Sequence, residues 1–594
     1  MSGYATTPAP SSKVPAPGQM DLPAPDAAAL IRRNVDRFGD RLALRFDDAV
    51  WTHAEYATES CRWANLFLAH RPAGDRPFHV AVLMDNTPDY LFALGGAALS
   101  GATIVGLNHT RVGEALHRDL THTHCGIVIT ETRHQGQLAD ALGDDPVGGT
   151  VLVSDRFDDG HSDEGDGTPR IGTSLAAALD AQPATDPGLE PGASTAWTLI
   201  FTSGTSSAPK AVICSQRRLM GTGARLGLIL EVTADDVGYV SMPLFHSNAL
   251  MVGWAPAVVY GASVGLRRRF SASGFLPDVR RYGATWFNYT GKPLSYVLGT
   301  ERAHDDADNT LRVAYGNEGS PQVVAEFAER FGVKVIDAFG ATEGGVAIDR
   351  DASPRSGALG RAGATVRVVD DSGVERPVAR FDEAGRLINA EECVGEIVST
   401  AGAGPFEGYY NNPEATERAT RGGWFWSGDL GYLDTDGYLY FAGRNADWIR
   451  VDGENFPAGP IAAALQRHRD VAICTVYGVP DEQAGDQVMA AIILREGATF
   501  DPVAFAEWID SLDDVGPKWR PRYLRIATEL PTTGTNKVVT RTLVHHKFRP
   551  DRCGPDHLYV RDRGDDHYRP FTADDAEALR ARFAAAGRSR FWDL

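Results

Sequence analysis

"WTLIFTSGTSSAPKAV" (residues 197–212) sets an apolar run, Trp197 to Phe201, directly ahead of small and hydroxylated residues that end in Pro209 and Lys210. Such a run predicts a buried strand whose end opens into a loop. A phosphate chain needs backbone N–H groups turned inward, hydroxyl donors and a cation at such a strand end. Gly204 permits the tight turn, Thr202, Ser203, Thr205, Ser206 and Ser207 supply hydroxyls, and Lys210 supplies the charge. The spacing is not G-x-x-x-x-G-K-[ST], and Ser207 stands where a phosphate loop is expected to carry glycine. Taken alone, the stretch fits an ordinary polar turn nearly as well as a nucleotide cradle.

Outward from this stretch, strand-like runs ("FHVAVLM", 78–84; "ATIVGLN", 102–108; "GIVIT", 126–130; "TVLVS", 150–154) alternate with helix-like ones ("PDAAALIRRNVDRFG", 25–39; "EYATESCRWANLFLAH", 55–70). Alternation of this kind predicts an α/β fold, with helices covering mostly parallel sheets. From about Val366 the strands shorten ("VRVVD", "VGEIVST") and turns multiply ("DTDG", "NNPE"), as in a β-rich subdomain. After "FAGR" (441–444) comes an α+β pattern, with "VAICTVYGVP", "QVMAAIIL" and "FDPVAFAEWIDSL", long enough to fold by itself. The domain reading is a Pro/Ala-rich flexible tail over 1–25, a large multi-subdomain N-terminal domain over 26–445 and a small C-terminal domain over 446–594.

The 594 residues exceed what one hydrophobic core usually serves. With 58 basic and 78 acidic residues and a net charge of -20, the chain has no general attraction for nucleic acid or anionic membranes. An anionic ligand has to be held by a local site. The six cysteines show no paired or metal-type spacing and read as free thiols in a reducing cytoplasm. No window reaches the roughly 18 uninterrupted apolar residues that span a bilayer, and the N-terminus has neither the basic start nor the apolar core of a signal peptide. The oligomeric state, monomer or homodimer, is not legible.

Several short motifs are decoys. "HRDL" (117–120) opens like a kinase catalytic loop, but His124 stands where its Asn belongs. "GASVG" (261–265) runs on into a strand-like segment, whereas a nucleophile elbow needs a helix there, which makes Ser263 a turn residue. "GTGARLG" has Leu226 at the third glycine position of a dinucleotide fingerprint. "HTHC" (122–125) lacks a partner pair and reads as satisfied surface histidines.

"TSGTSSAPKAV" is similar to the phosphate loop of the adenylate-forming superfamily of acyl-CoA synthetases, adenylation domains and luciferases, and further signatures follow in that family's order. "PLFHSN" (243–248), with His246, resembles the segment gating the acyl pocket, and "YGNEGSP" (315–321), with Asn317 and Glu318, the purine-side loop. "FGATEGG" (339–345) matches the aromatic-Gly-x-Thr-Glu motif, carrying Phe339, Gly340, Ala341, Thr342 and Glu343. "GEIVST" and "GYYNNPEAT" match the mid-chain pattern, "WFWSGDLGYLDTDGYLYFAGR" (424–444) and "GENF" the ribose and interdomain signatures, and "LPTTGTNKV" (530–538) the catalytic-lysine segment. The resemblance spans about Asp26 to Leu543.

It implies ATP and Mg2+ as cofactors, CoA as co-substrate, and a small carboxylic acid or other oxyanion as substrate. The residue types suit those roles. Phe339 offers a flat face for adenine, Asp429 two acceptor oxygens for the ribose hydroxyls, and Arg444 a planar fork. Glu343, after Thr342, is the candidate metal ligand, and Lys537 would bring a point charge to the α-phosphate. The resemblance further implies that the C-terminal domain over 446–594 is a mobile lid carrying Lys537, turning about a hinge two residues past the Arg444 position.

The hinge pattern "R-x-small-D-W-I-R-x-x-G-E-N" and "FNYTGKPLSYVL" (287–298) look most like the fatty-acid-transport-protein and very-long-chain acyl-CoA synthetase branch. Ser207 and Asn536 replace usual glycines, and Ala446 replaces the usual hinge Asp or Lys. Glu318 puts a carboxylate where the family carries small residues. Facing solvent it has no consequence; facing the pocket it is costly beside an alkyl chain and favours a polar partner. The sequence therefore predicts an ATP-dependent acid–CoA ligase for a fatty or aromatic acid. Its alternatives are a CoA-independent adenylating enzyme, such as a diazotase that activates nitrite for an aromatic amine, and a non-catalytic nucleotide-binding protein.

Overall fold

The computed structural model describes residues 20–143, 149–158, 160, 171–202, 209–317, 319, 321–348, 358–382, 387–444, 448–451, 454–482, 486–512, 515–532, 538–562, 564–586 and 588–593. The apolar run Trp197 to Phe201 lies in the strand Ala196–Thr202, which pairs antiparallel with Lys210–Ser215 so that Thr202 faces Lys210 across the intervening loop. The same strand runs parallel to Thr103–Gly106. That strand continues through His79–Leu83 and Ile127–Glu131 to Thr150–Ser154, so an eight-stranded sheet is mostly parallel. Burial on both faces explains its near-continuous apolar runs.

A second, seven-stranded sheet contains Leu42–Phe46, Val237–Val240, Ser263–Leu266, Trp286–Thr290, Val313–Asn317 and Lys334–Asp337, parallel throughout except for the edge hairpin with Ala49–Thr52. Helices pack between and around these sheets. Ala27–Phe38 starts where the Asp26 side chain accepts from the Ala29 N–H, and His53–Ala69 starts from a reciprocal Thr52–Glu55 capping box. A five-stranded antiparallel sheet, Ala358–Arg361 to Tyr438–Arg444, forms the β-rich part, and a mixed five-stranded sheet headed by Val471–Pro480 forms a separate C-terminal domain. Tyr296, from the helix Gly291–Leu298, packs against the C-terminal core.

The fold is thus α/β with a β-rich subdomain and an α+β C-terminal domain, as the alternation of runs predicts. "TVLVS" and "VAICTVYGVP" coincide with strands residue for residue. Ser263 differs from its reading. It opens a buried strand, because the turn is complete at Gly261, whose φ of 73° ends the preceding helix. "HTHC" is satisfied without a metal. His122 meets the Tyr410 carbonyl at 3.0 Å and His124 the Tyr410 hydroxyl at 3.2 Å. All six cysteines are free, and burial raises their thiols, to about 12 for Cys125 and about 11 for Cys214, so they stay protonated near neutral pH. Among the described residues no helix is long and apolar enough to cross a membrane.

Candidate active site

Thr202 and Lys210 close a hairpin at the carboxyl ends of the parallel strands, the edge where open α/β sheets bind ligands. Ser203, Gly204, Thr205, Ser206 and Ser207 lie outside the described residues. Beyond the hairpin, the segment Phe339 to Glu343 leaves the seven-stranded sheet after Lys334–Asp337. Phe339–Gly340 pairs with Ala347–Ile348, and the chain reverses at Gly344, whose φ of 71° requires the left-handed region. Gly345 is fixed by packing instead, since a Cβ there would stand 2.2 Å from the Phe425 ring.

Three side chains hold Thr342 and Glu343. Arg218, buried in the helix Gln216–Leu230, donates to both main-chain carbonyls, reaching that of Glu343 at 3.0 Å. Ser247 Oγ meets Thr342 Oγ1 at 2.8 Å. The Tyr409 hydroxyl donates to Glu343 Oε1 at 2.8 Å, and the Lys210 ammonium stands 5.5 Å from the Tyr409 ring centre. Glu343 makes no ion pair among the described residues. The motif-bearing Glu343 and Lys210 are therefore brought to one place, around a tyrosine to which the sequence reading gave no role.

His246 lies one residue before Ser247, its ring 4.4 Å from that of Phe245. From Asn248 to Trp254 the chain forms a wide, π-type helix, a geometry that concentrates at functional sites. Asn248 donates to the Tyr289 carbonyl at 2.9 Å and accepts from Asn288 at 2.8 Å, tying this segment to the strand Trp286–Thr290. Next to it Leu226, Ile229 and Val252 form a small apolar cluster packed by Tyr315 and Ile336. Asn317 ends its strand here, and its Oδ1 is buried without a hydrogen-bond partner among the described residues.

On the other flank Phe339 lies 6.1 Å from Phe441, half-buried, while Gly340 and Ala341 continue the same edge. Asp429, nearly buried, sits opposite Arg444 in the register of the β-rich sheet. Its amide donates to Ser427 Oγ at 3.1 Å. Glu318, Asn536, Lys537 and the hinge position Ala446 fall outside the described residues, and of Arg444 only the backbone is described. Arg218, Ser247 and Tyr409 escaped sequence reading. The signal for two of them was present, since Ser247 and Tyr409 lie inside the quoted "PLFHSN" and "GYYNNPEAT".

A second cluster lies at the same strand ends. Asp85, His109 and His134 offer ligand atoms within 4.8 Å of one another. Their surroundings oppose a cation. Arg269 reaches Asp85 Oδ2 at 2.9 Å, Arg133 at 3.2 Å and Arg268 at 3.6 Å, and Arg268 also binds Glu131 at 2.6 Å. Three guanidiniums outnumber the two carboxylates. Burial alone would raise the Asp85 carboxyl, but the His134 hydrogen bond and the charges of His109, His134 and Arg269 hold it well below the carboxylate range. Burial pushes His109 down to about 4, so it is neutral at pH 7. The cluster is an ion-pair knot joining the two sheets.

A hairpin closed by Thr202 and Lys210, an aromatic edge at Phe339 and the Glu343 carboxylate lie on an α/β body that carries an α+β C-terminal domain. The family model "AMP-binding enzyme" matches residues 31–410, and "AMP-binding enzyme C-terminal domain" matches residues 461–537. The chain belongs to the AMP-binding enzyme family. It is 44% identical over 577 residues to steroid-22-oyl-CoA synthetase of Rhodococcus jostii (strain RHA1), covering 95% of this chain and 99% of that one. It is 43% identical over 506 residues to medium/long-chain-fatty-acid–CoA ligase FadD17 of Mycobacterium marinum (strain ATCC BAA-535 / M), covering 85% and 93%. Among solved structures, the anthranilate CoA ligase AuaEII in complex with anthranoyl-AMP superposes with a TM-score of 0.74 at 21% identity, over 89% of this chain and 98% of that one, which establishes the shared fold.

Proposed function

We propose that the protein is an ATP-dependent acid–CoA ligase that activates a bulky, apolar carboxylic acid as its acyl-adenylate and passes the acyl group to CoA. The observation that carries the reading is the clamp on Thr342 and Glu343 by Arg218, Ser247 and Tyr409, set beside the Thr202–Lys210 hairpin. The clamp holds an oxygen-donor pair next to a candidate phosphate cradle. Ligase activity is also what the names of its full-length relatives state. Those names concern steroid side-chain and medium- to long-chain acids, which supports an apolar acyl group, as does the cluster of Leu226, Ile229 and Val252. Placement beside the very-long-chain branch rests only on the hinge pattern and "FNYTGKPLSYVL".

The substrate carboxylate is ionised at neutral pH, so its attack on the α-phosphorus needs no general base. A carboxylate oxygen forms the new bond to phosphorus, the bond to the bridging oxygen breaks, and pyrophosphate leaves. The CoA thiol then attacks the acyl carbonyl, loses its proton to solvent and displaces AMP. In this reading Thr202, Ser203, Gly204, Thr205, Ser206 and Lys210 hold phosphates, and Phe339, Gly340, Ala341 and Asn317 line the adenine side. Asp429 and Arg444 hold the ribose, His246 borders the acyl pocket, and Lys537 meets the α-phosphate from a C-terminal lid over 446–594.

The donor set fits Mg2+. Glu343 retains a carboxylate oxygen beyond its Tyr409 bond and Thr342 adds a hydroxyl, both hard oxygen ligands. When bound, the ion would neutralise phosphate charge. A cytoplasmic setting agrees with six unpaired thiols.

Pyrophosphate release and acyl-CoA formation, measured across steroid side-chain acids, medium- and long-chain fatty acids and benzoates with and without CoA, test the proposal. Acyl-CoA from an apolar acid is expected. CoA-independent release driven by nitrite and an arylamine would overturn it, and silence in every condition would favour a binding protein.

A further inference from the structure

We propose that Glu407 is a positioning residue for the Thr342–Glu343 pair, acting through Ser215 and Arg218 and bonding to neither member of the pair itself. The proposal rests on the reading above, in which that pair receives Mg2+ with ATP. The strand Tyr409–Tyr410 runs antiparallel to Lys210–Ser215, with Tyr410 opposite Ala211 and Tyr409 opposite Val212. The Ile213 N–H still finds a main-chain partner on this edge, the Gly408 carbonyl at 3.0 Å. Two residues on, the Ser215 N–H meets the Glu407 carboxylate instead, at 2.7 Å, and the Ser215 hydroxyl donates to its other oxygen at 2.5 Å. A side-chain carboxylate thus extends the ladder where strand pairing has ended.

Ser215 is the N-cap of the helix Gln216–Leu230. Its hydroxyl has one hydrogen, given to Glu407, so its lone pairs are left for the helix, where Oγ accepts from the Arg218 N–H at 3.2 Å. The buried Arg218 guanidinium donates to the Ile213 carbonyl at 2.7 Å and to the carbonyls of Thr342 and Glu343, the latter at 3.0 Å. A cation in the first turn of a helix is opposed by the helix dipole, and burial adds to the cost. That turn holds no acidic residue of its own, and Arg218 forms no ion pair among the described residues. Glu407 supplies negative charge from another segment, at the helix N-terminus where the dipole favours it. Beyond the burial that raises the Cys214 thiol, Arg218 lowers it while Glu407 and Glu343 raise it, so the three charges gather around one point. Ser247 and Tyr409 hold the side chains of the pair, and Arg218 holds its backbone. The aim of Arg218, set through Ser215 by Glu407, therefore sets the direction in which the Thr342 hydroxyl and the Glu343 carboxylate leave the chain.

The test is nucleotide binding by calorimetry on the full chain, using α,β-methylene-ATP with no acid and no CoA, at Mg2+ concentrations from zero upward. Glu407 is exposed, so Glu407→Gln removes the charge without disturbing packing. Its Mg2+-free affinity is expected to match the parent's, while the Mg2+ needed for half-maximal tightening rises about fivefold, somewhat less than a buried hydrogen bond to a charged group would give. Arg218→Met removes all the donors to the pair and is expected to shift the same titration by more than about tenfold. Adding Glu407→Gln to Arg218→Met is expected to shift it no further, because the carboxylate acts only through the guanidinium. A charge that merely steadied the helix would add its own effect. Where Arg218→Met does not fold, Arg218→Lys, which keeps the charge and loses the planar fork, takes its place in the cycle. An unshifted Mg2+ titration for Glu407→Gln in a chain that binds nucleotide, or additive shifts in the double variant, overturns the role of Glu407 and leaves the functional reading standing. A parent chain that binds no nucleotide overturns the functional reading and this proposal with it.

Discussion

Glu343 and Asp85 are two carboxylates at the strand-end side of one molecule, and they are treated in opposite ways. Asp85 has the more metal-like company, two histidines, yet three guanidiniums and a hydrogen bond saturate it. Glu343 has no histidine, but its partner is a neutral hydroxyl and it forms no ion pair among the described residues. Ligand identity alone points to Asp85, not to Glu343. The local balance of charge differs accordingly: Asp85 sits in an ion-pair knot, whereas Glu343 forms no ion pair among the described residues, which is what the proposed cation role of Glu343 requires.

The comparison can be broken most forcefully at Asp85. Asp85→Asn is expected to cost about 3–5 kcal/mol of stability, as for removing one partner of a buried ionic network, while specific activity per folded molecule survives. Urea unfolding beside an adenylation assay measures both, and loss of activity without loss of stability would give Asp85 a role in the reaction.

Glu343→Gln is expected to do the reverse. Pyrophosphate release should fall about 10²- to 10³-fold, the scale of one preorganised electrostatic group, with unfolding unchanged. Lys537→Ala should slow adenylation over the same range, and near-normal release by either variant would refute its assignment. Asp429→Ala should weaken ATP binding about tenfold, a loss of hydrogen bonds to a charged acceptor; an unaltered dissociation constant would remove it from the ribose site.

The smallest effect concerns pH. The folded pKa of His109 is lowered by burial to about 4, from an unfolded value near 6.5. Its contribution is therefore fully present above pH 6.5 and is lost as pH falls toward 4. Because its side chain is one-fifth exposed, the loss should stay below the full linkage value of about 3 kcal/mol. The stability difference between the parent and His109→Gln should narrow over that interval. A difference that is flat with pH would mean the ring is solvated in the folded protein.

The parts of the fold that were legible are those with a strong local pattern. "VAICTVYGVP" is read correctly because β-branched and apolar residues dominate it and half of its positions are buried. The Thr342–Glu343 and Thr202–Lys210 segments are legible because each places its chemistry within a few consecutive residues. Arg218 is different. It supports Thr342 and Glu343 across more than 120 residues, from a helix whose sequence shows only an ordinary basic residue. Likewise Ser247 and Tyr409 were inside recognised motifs, but no spacing reveals which side chain their hydroxyls meet.

The sequence by itself determined the α/β class, the family and the order of its motifs, because these depend on local periodicity and contiguous chemistry. Only the tertiary structure decided that Glu343 meets the Tyr409 hydroxyl while Asp85 is held by three guanidiniums, and that Lys210 comes to lie over the Tyr409 ring. Those outcomes depend on which charges from distant segments arrive within a few ångströms, and distance in space is not written in distance along the chain.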